Sequence, residues 1–266
     1  MDLTAVQTVR QARSRAELAL APGERFLAGG TWLFSEPQPD VTGLVDLAAL
    51  GWDQVELNED GDLRIGSMTA IGALESWARD SSLPAAPLVI DCAESLLASF
   101  KVRGSATVGG NIARSYAAGS MIALGATLDA VAQIWTASAE RTMPVADLPA
   151  GNGETTLARG EALRAIVIPA SALEARTASR RIALAQHGRA GALLTGRRDG
   201  DGGCTFVITA ATLTPTVLRY PELPDAAVLE RDARDAPGYY TDALGDADWR
   251  RQVSAVLLAE VREELA

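Results

Sequence analysis

Two glycine pairs are the residues whose type and spacing could do chemistry: Gly29-Gly30 after Phe26-Leu27-Ala28, and Gly109-Gly110 after Ala106-Thr107-Val108. A glycine pair lets the backbone come within hydrogen-bonding distance of a ligand. Successive N–H groups in such a turn form a nest for an anion, which suits a pyrophosphate. Thr31 and Asn111 follow the pairs and add side-chain donors. One pair alone reads as an ordinary turn, whereas two with similar flanks also fit a dinucleotide. The usual dinucleotide signatures are missing, since the sequence has neither Gly-x-Gly-x-x-Gly nor Gly-x-x-x-x-Gly-Lys-Ser/Thr. Gly151-Asn152-Gly153 comes near the first but has Thr156 in place of the third glycine, and reads as a loop.

Other chemistries are excluded by count. The 266 residues include one histidine, His187, too few for a zinc site needing two or three imidazoles. No Gly-x-Ser-x-Gly elbow accompanies it, so a hydrolytic triad has no support. Cys92 and Cys204 are far apart and form no Cys-x-x-Cys, which leaves two reduced thiols and no iron–sulfur ligand set. The net charge of −10, with arginines scattered along the chain, argues against nucleic acid. Met1-Asp2-Leu3-Thr4 has no basic n-region, and no apolar run approaches 18 residues. The expectation is a cytoplasmic protein without a membrane span.

The elements that must position the glycine pairs read as a mixture of helix and strand. Residues 5–18 read as a short helix, and the short apolar runs at Phe26-Leu27-Ala28 and Leu44-Val45 as buried strands. Val55-Glu56-Leu57 and Leu63-Arg64-Ile65 alternate around an Asp60-Gly61 turn, a hairpin. Ser67 or Thr69 would cap a helix carrying Ile71, Leu74 and Ala78 on one face, and a second helix is expected over 88–99. Strands are expected at 130–135, 142–145 and 165–168, with Pro144 and Pro169 at strand ends. Residues 171–180 read as a linker. Beyond it, 190–197 and 205–211 flank the polar loop 199–203 as a second hairpin. From Asp246 onward, Trp249, Val253, Val256, Leu257 and Val261 recur at helical steps.

With these motifs in view, the sequence resembles the medium, FAD-binding subunit of the molybdenum hydroxylases, the family of the xanthine, aldehyde and carbon monoxide dehydrogenase flavoprotein chains. The resemblance rests on an ordered set: FLAGGTWL at 26–33, LVDLAAL at 44–50, LRIGSMT at 63–69, ATVGGNIA at 106–113, LDA at 128–130, RTMPVADL at 141–148 and EALRAIVIP at 161–169. It covers residues 3–170 well and the remainder more faintly, through Arg180-Arg181 and the ending helix. The sequence departs from the family where an acidic residue and proline, then an aspartate, usually follow the second glycine pair. Here those positions hold Tyr116, Ala117 and Ser120, and Trp32 stands where a small polar or acidic residue is common.

The resemblance implies an α+β fold: a two-lobed FAD-binding domain, with lobes at 1–57 and 58–172, followed by a small α+β domain at 173–266. It implies FAD as cofactor, its pyrophosphate wrapped by Leu27, Ala28, Gly29, Gly30, Thr31, Trp32 and Leu33 from one lobe and by Thr107, Gly109, Gly110, Asn111 and Ala113 from the other. Ala162, Leu163, Arg181, Leu97 and Ala98 match positions near the cofactor, and Ser120 the acidic one. The implied function is electron relay inside a heteromer, an oxidoreductase activity. Iron–sulfur clusters in a 2Fe-2S small subunit would supply electrons, a molybdopterin-binding large subunit would oxidise the substrate, and an external acceptor would receive them. Two alternatives stay open: a free-standing flavoprotein oxidoreductase, and a cofactor-free structural subunit of such a complex.

Overall fold

The computed structural model describes residues 3–185 and 188–266. His187 and the first two residues of the N-terminal reading lie outside them. The chain forms strands β1 (Thr8–Gln11), β2 (Glu24–Leu27), β3 (Gly43–Asp46), β4 (Val55–Leu57) and β5 (Leu63–Gly66), then helices α1 (Ile71–Asp80), α2 (Ala86–Ser95), α3 (Phe100–Arg103), α4 (Val108–Arg114) and α5 (Ser120–Thr127). Next come β6 (Val131–Trp135), β7 (Glu140–Pro144), β8 (Pro149–Gly151), β9 (Glu154–Thr155), β10 (Ala162–Ile168) and α6 (Ala170–Leu173). The last part holds β11 (Arg176–Ile182), β12 (Ala192–Arg198), β13 (Cys204–Thr209), β14 (Thr216–Tyr220), α7 (Ala226–Asp235) and α8 (Ala247–Glu264).

Among the described residues, three sheets of three or more strands organise the molecule, beside the two-stranded β8-β9. The first is parallel, in the order β1-β3-β2, with buried β3 in the middle. The second is antiparallel, β4-β5-β10-β6-β7, and its central strand β10 reads as a nearly continuous apolar run because both its faces are covered. The third is an antiparallel meander, β11-β12-β13-β14. Helix α8 packs on one side of it and α5 on the other, which explains why every residue of β13 is buried. Helix α5 is buried at every position and so lacks the one-sided apolar stripe that would identify it from sequence.

The layers are joined by shared cores. Ala12, Leu18, Val45, Leu47 and Trp52 of the first 57 residues bury themselves with Ala162 of β10. Trp52 meets Trp135 of β6 edge to face, with ring centroids 5.8 Å apart. Ala190, Leu193 and Ala210 join the cluster built on α1, α2, α5 and β10.

Several expectations need correction. Residues 5–18 are not a helix: Thr8–Gln11 is an edge strand beside β3, and only Arg15–Leu18 forms a helical turn, of 3₁₀ type, closed by a Ser14/Glu17 capping box. Helix α1 starts after Ala70 and uses neither Ser67 nor Thr69 as a side-chain cap. Helix α2 stops at Ser95, and Leu97 takes a left-handed conformation at φ +50°. The stretch read as a linker holds the end of α6 and the first five residues of strand β11, whose polar sequence hid a pairing role: Arg180 reaches Glu260 and Glu264 of α8 at 3.0 and 2.7 Å. The buried face of α8 is also rotated from the expected one. Arg250, Ser254, Leu258 and Val261 point inward, while Val256 is exposed.

Candidate functional site

β2 and β3 run parallel and end side by side, Leu27 opposite Asp46. Loops leaving the carboxyl ends of parallel strands are where open sheets bind ligands. The loop after β2 turns at Gly30, at φ +69°, a conformation that costs glycine nothing. Phe34 N–H donates to Gly30 O and Ser35 N–H to Trp32 O, both at 2.9 Å, and these bonds hold the turn. Gly29 lies so close to the facing layer that a Cβ there would stand 1.8 Å from Ser105 O. Among the described residues, none of the amides from 28 to 33 donates a hydrogen bond to a protein group.

The second glycine pair is built differently from the expected turn. Gly109 and Gly110 lie in the first turn of α4, and Thr107 is its N-cap, with Oγ1 accepting from Gly110 N–H at 3.0 Å. Val108 N–H donates to Thr69 O at 2.9 Å, Gly109 N–H to Ser67 O at 2.8 Å and Asn111 N–H to Thr107 O at 2.9 Å. These amides are already used, so the open nest belongs to the 28–33 side alone. What Gly110 contributes is room, because its missing side chain keeps the wall low, whereas Gly109 lets α4 lie against Ser67, whose Cβ would stand 2.4 Å from an added one. Asn111 Oδ1 accepts from Met121 N–H at 3.1 Å and fixes α4 against α5.

Between the two pairs lies a cleft of about 550 Å³, within the usual range for a small-molecule or cofactor site. Leu27, Ala28, Gly29, Gly30, Thr31, Trp32 and Leu33 border it, as do Thr107, Gly109, Gly110, Asn111 and Ala113. Leu97, Ala98, Ala162 and Leu163 add apolar surface to it. Ser120 and Arg181 are not on this wall. Ser120 is buried with its Oγ unpartnered, and Gly119 forms the surface instead. The Arg181 guanidinium donates to Gly188 O, and burial holds its pKa down.

The sequence reading missed part of the wall. Ser67 borders the cleft with a buried Oγ that has no partner among the described residues. Asn152, between β8 and β9, borders it too and accepts from Ala117 N–H at 3.0 Å. Arg114 and Tyr116 enter from the end of α4, and Arg189, Ala190, Tyr240, Asp242 and Leu244 from the C-terminal part. The glycine pairs and a family motif could find the near wall, but no local signal in the sequence marks the far one.

The charges are arranged in one direction. Arg141 binds Glu161 through two 2.7 Å hydrogen bonds, which hold its carboxyl below the ordinary glutamate range. Asp242 is paired at 2.7 Å with Arg250, which is fully buried and also donates to Tyr240 O at 2.7 Å. Arg114 packs against two rings, its Cζ 4.0 Å from each centroid of Trp32 and Tyr116. The undonated amides, the low glycine wall and the unpartnered Ser67 hydroxyl suit a ligand carrying a diphosphate and hydroxyl groups.

Comparisons with known proteins agree with this geometry. The family model described as FAD binding domain in molybdopterin dehydrogenase matches residues 2–171. The aldehyde oxidoreductase FAD-binding subunit PaoB of Escherichia coli (strain K12) is 33% identical over 115 residues, 40% of this chain and 34% of that protein, so the match spans about a third of the relative's length. The fold matches a chain of the reconstituted CO dehydrogenase from Oligotropha carboxidovorans at TM-score 0.83 and 24% identity, covering 98% of this chain and 97% of that one. It matches a chain of quinoline 2-oxidoreductase from Pseudomonas putida 86 at TM-score 0.82 and 20% identity, covering 100% and 98%. With the family model spanning well over half of its length, this chain belongs to the FAD-binding domain family of the molybdopterin dehydrogenases.

Proposed function

We propose that this chain is the FAD-binding electron-transfer subunit of a heteromeric molybdenum hydroxylase or dehydrogenase, relaying electrons from iron–sulfur clusters in a partner chain to an external acceptor. The observation that carries this reading is the loop at 28–33, whose free amides face the glycine wall of α4 across a cleft of cofactor size. In this reading residues 27–33 hold the diphosphate from one side. Thr107, Gly109, Gly110, Asn111 and Ala113 shape the other, while Leu97, Ala98, Ala162 and Leu163 exclude water around the ring system. The chemistry a bound flavin supplies is the exchange of electrons singly and in pairs.

The chain's own task is to bind, orient and shield. Among the described residues, the two carboxylates bordering the cleft, Glu161 and Asp242, are tied to arginines, so neither is a free base there. Electron relay needs no protein base, whereas a free-standing oxidoreductase would need one for its substrate. Two free, buried cysteines give no ligand set for a cluster. The clusters and the molybdopterin are therefore assigned to separate small and large partner chains. Among the described residues no helix is long and apolar enough to cross a membrane, and a cytoplasmic setting is part of the proposal. So is a division into units at 1–57, 58–172 and 173–266. Co-expression of the chain with its partners, followed by size-exclusion chromatography and a visible absorption spectrum, tests the reading. Co-elution with flavin bands is expected. A lone chain whose flavin is reduced directly by a small substrate would favour the free-standing enzyme, and a colourless chain the structural subunit.

A further inference from the structure

The protein is acidic overall, yet its cleft is not. Among the described residues, five charged ones border the cleft: Arg25, Arg114, Glu161, Arg189 and Asp242. The two carboxylates are neutralised from behind by Arg141 and Arg250. Among the described residues, Arg25, Arg114 and Arg189 have no carboxylate within 4.0 Å. Three positive charges are thus left facing a space that a chain of net charge −10 encloses.

Arg114 differs from the other two because it is half-buried and fixed in place. Trp32 and Tyr116 both pack against it, their rings inclined at 71° to each other, and a guanidinium offers five donors in one plane. Nη1 donates to Gly153 O at 2.8 Å and Nη2 to the Tyr116 hydroxyl at 2.8 Å. Both acceptors are neutral, and the buried Nε has no acceptor among the described residues. A half-buried cation without a counter-charge gains from an anion that pairs with it. Trp32, which clamps it, belongs to the loop whose amides also lack acceptors.

We propose that Arg114 is a ligand-binding residue, pairing with the diphosphate of the dinucleotide that the free amides of the 28–33 loop bind by their N–H groups. The inference rests on the flavin reading for the identity of the ligand but on the charge arrangement for the site. It makes Trp32 and Tyr116 positioning residues, which hold the guanidinium in one plane so that little freedom is lost on binding.

Titration of the purified full-length chain with FAD, ADP and riboflavin, for the unsubstituted protein, Arg114→Gln and Arg114→Lys, tests this. Arg114→Gln is expected to weaken FAD and ADP by on the order of tenfold or more. Riboflavin, which has no phosphate, should keep its affinity, and Arg114→Lys, which keeps the charge, should lose less. Added salt should weaken FAD binding to the unsubstituted chain more than to Arg114→Gln. Equal FAD and ADP affinities in Arg114→Gln and the unsubstituted chain would overturn the inference and leave the flavin reading intact. A parallel loss of riboflavin would also overturn it, since that would mean Arg114 only supports the wall. ADP bound without FAD by the unsubstituted chain would overturn the flavin reading and leave the anion site standing.

Discussion

The indole N–H of Trp32 donates to the phenol oxygen of Tyr116 at 2.9 Å, joining two residues 84 positions apart across the cleft. Their rings meet at 71° with centroids 6.4 Å apart. Both residues stand at positions where the family resemblance leads one to expect small polar or acidic side chains. The two departures are therefore one structural change, a bridge between the β2 loop and the end of α4. Tyr116→Phe keeps the ring but removes the oxygen that accepts from both Trp32 and Arg114. Leaving two half-buried donors without an acceptor costs about 1–3 kcal/mol. Urea denaturation should show that loss as a lower midpoint with an unchanged slope.

The glycines separate support from binding. Gly29→Ala puts a Cβ against the backbone of Ser105, where neither side can yield cheaply, so the chain should lose stability and cofactor together. Gly110→Val meets the Thr107 hydroxyl at 2.8 Å and otherwise only Ala28 Cβ at 3.8 Å. Its branches fill the cleft without splitting the layers. A melting temperature close to the parent with flavin content lost is expected for Gly110→Val. Full flavin content in this variant would place the ligand away from the glycine wall.

How much of this was legible in the sequence depends on where each signal is stored. The first glycine loop was legible because its conformation is local: a turn at Gly30 needs a positive φ, and the strand before it packs Phe26 and Leu27, both half-buried, against the core. The second pair was legible as glycines but not as the first turn of a helix, since a single turn capped by Thr107 looks like any polar step before glycines. Arg114, Ser67 and Asn152 were missed because their roles are set by partners far along the chain. Arg114 becomes a cleft residue only through Trp32 and Gly153, and Asn152 only through Ala117. Helix α5 and strand β11 failed for opposite reasons: one is apolar on all sides, and the other is polar and held by ion pairs to α8.

Acid should loosen one edge of the cleft. Arg141 donates two hydrogen bonds to Glu161, and Ala158 N–H adds a third at 2.8 Å, which hold this carboxyl below its ordinary value of 4.5. The folded chain takes up that proton less readily than the unfolded chain. The stabilisation is therefore complete above about 4.5 and is lost as pH falls through the lower folded value. Melting curves from neutral pH down through 4.5 should fall more steeply for the parent than for Glu161→Gln, which has no proton to gain. Parallel curves would mean that the pair contributes nothing to acid sensitivity.

The far wall hangs on Arg250, a fully buried guanidinium at the start of α8. It donates to Asp242 and to Tyr240 O, each at 2.7 Å, and lies 3.9 Å under the Tyr240 ring, so it fixes the segment that carries Tyr240, Asp242 and Leu244 into the cleft. Arg250→Ala would leave Asp242 unpaired, open a cavity and free that segment. Because Asp242 keeps some contact with water, the expected cost is about 3 kcal/mol, the low end for breaking a buried ion pair. Arg250→Met fills the space without restoring the charge and should recover part of the stability but not the order of the loop. Hydrogen exchange of the amides at 240–244 distinguishes the two: protection should be lost in both variants, while the melting temperature should recover only in Arg250→Met. Unchanged protection in either variant would show that the far wall is held by something other than this arginine.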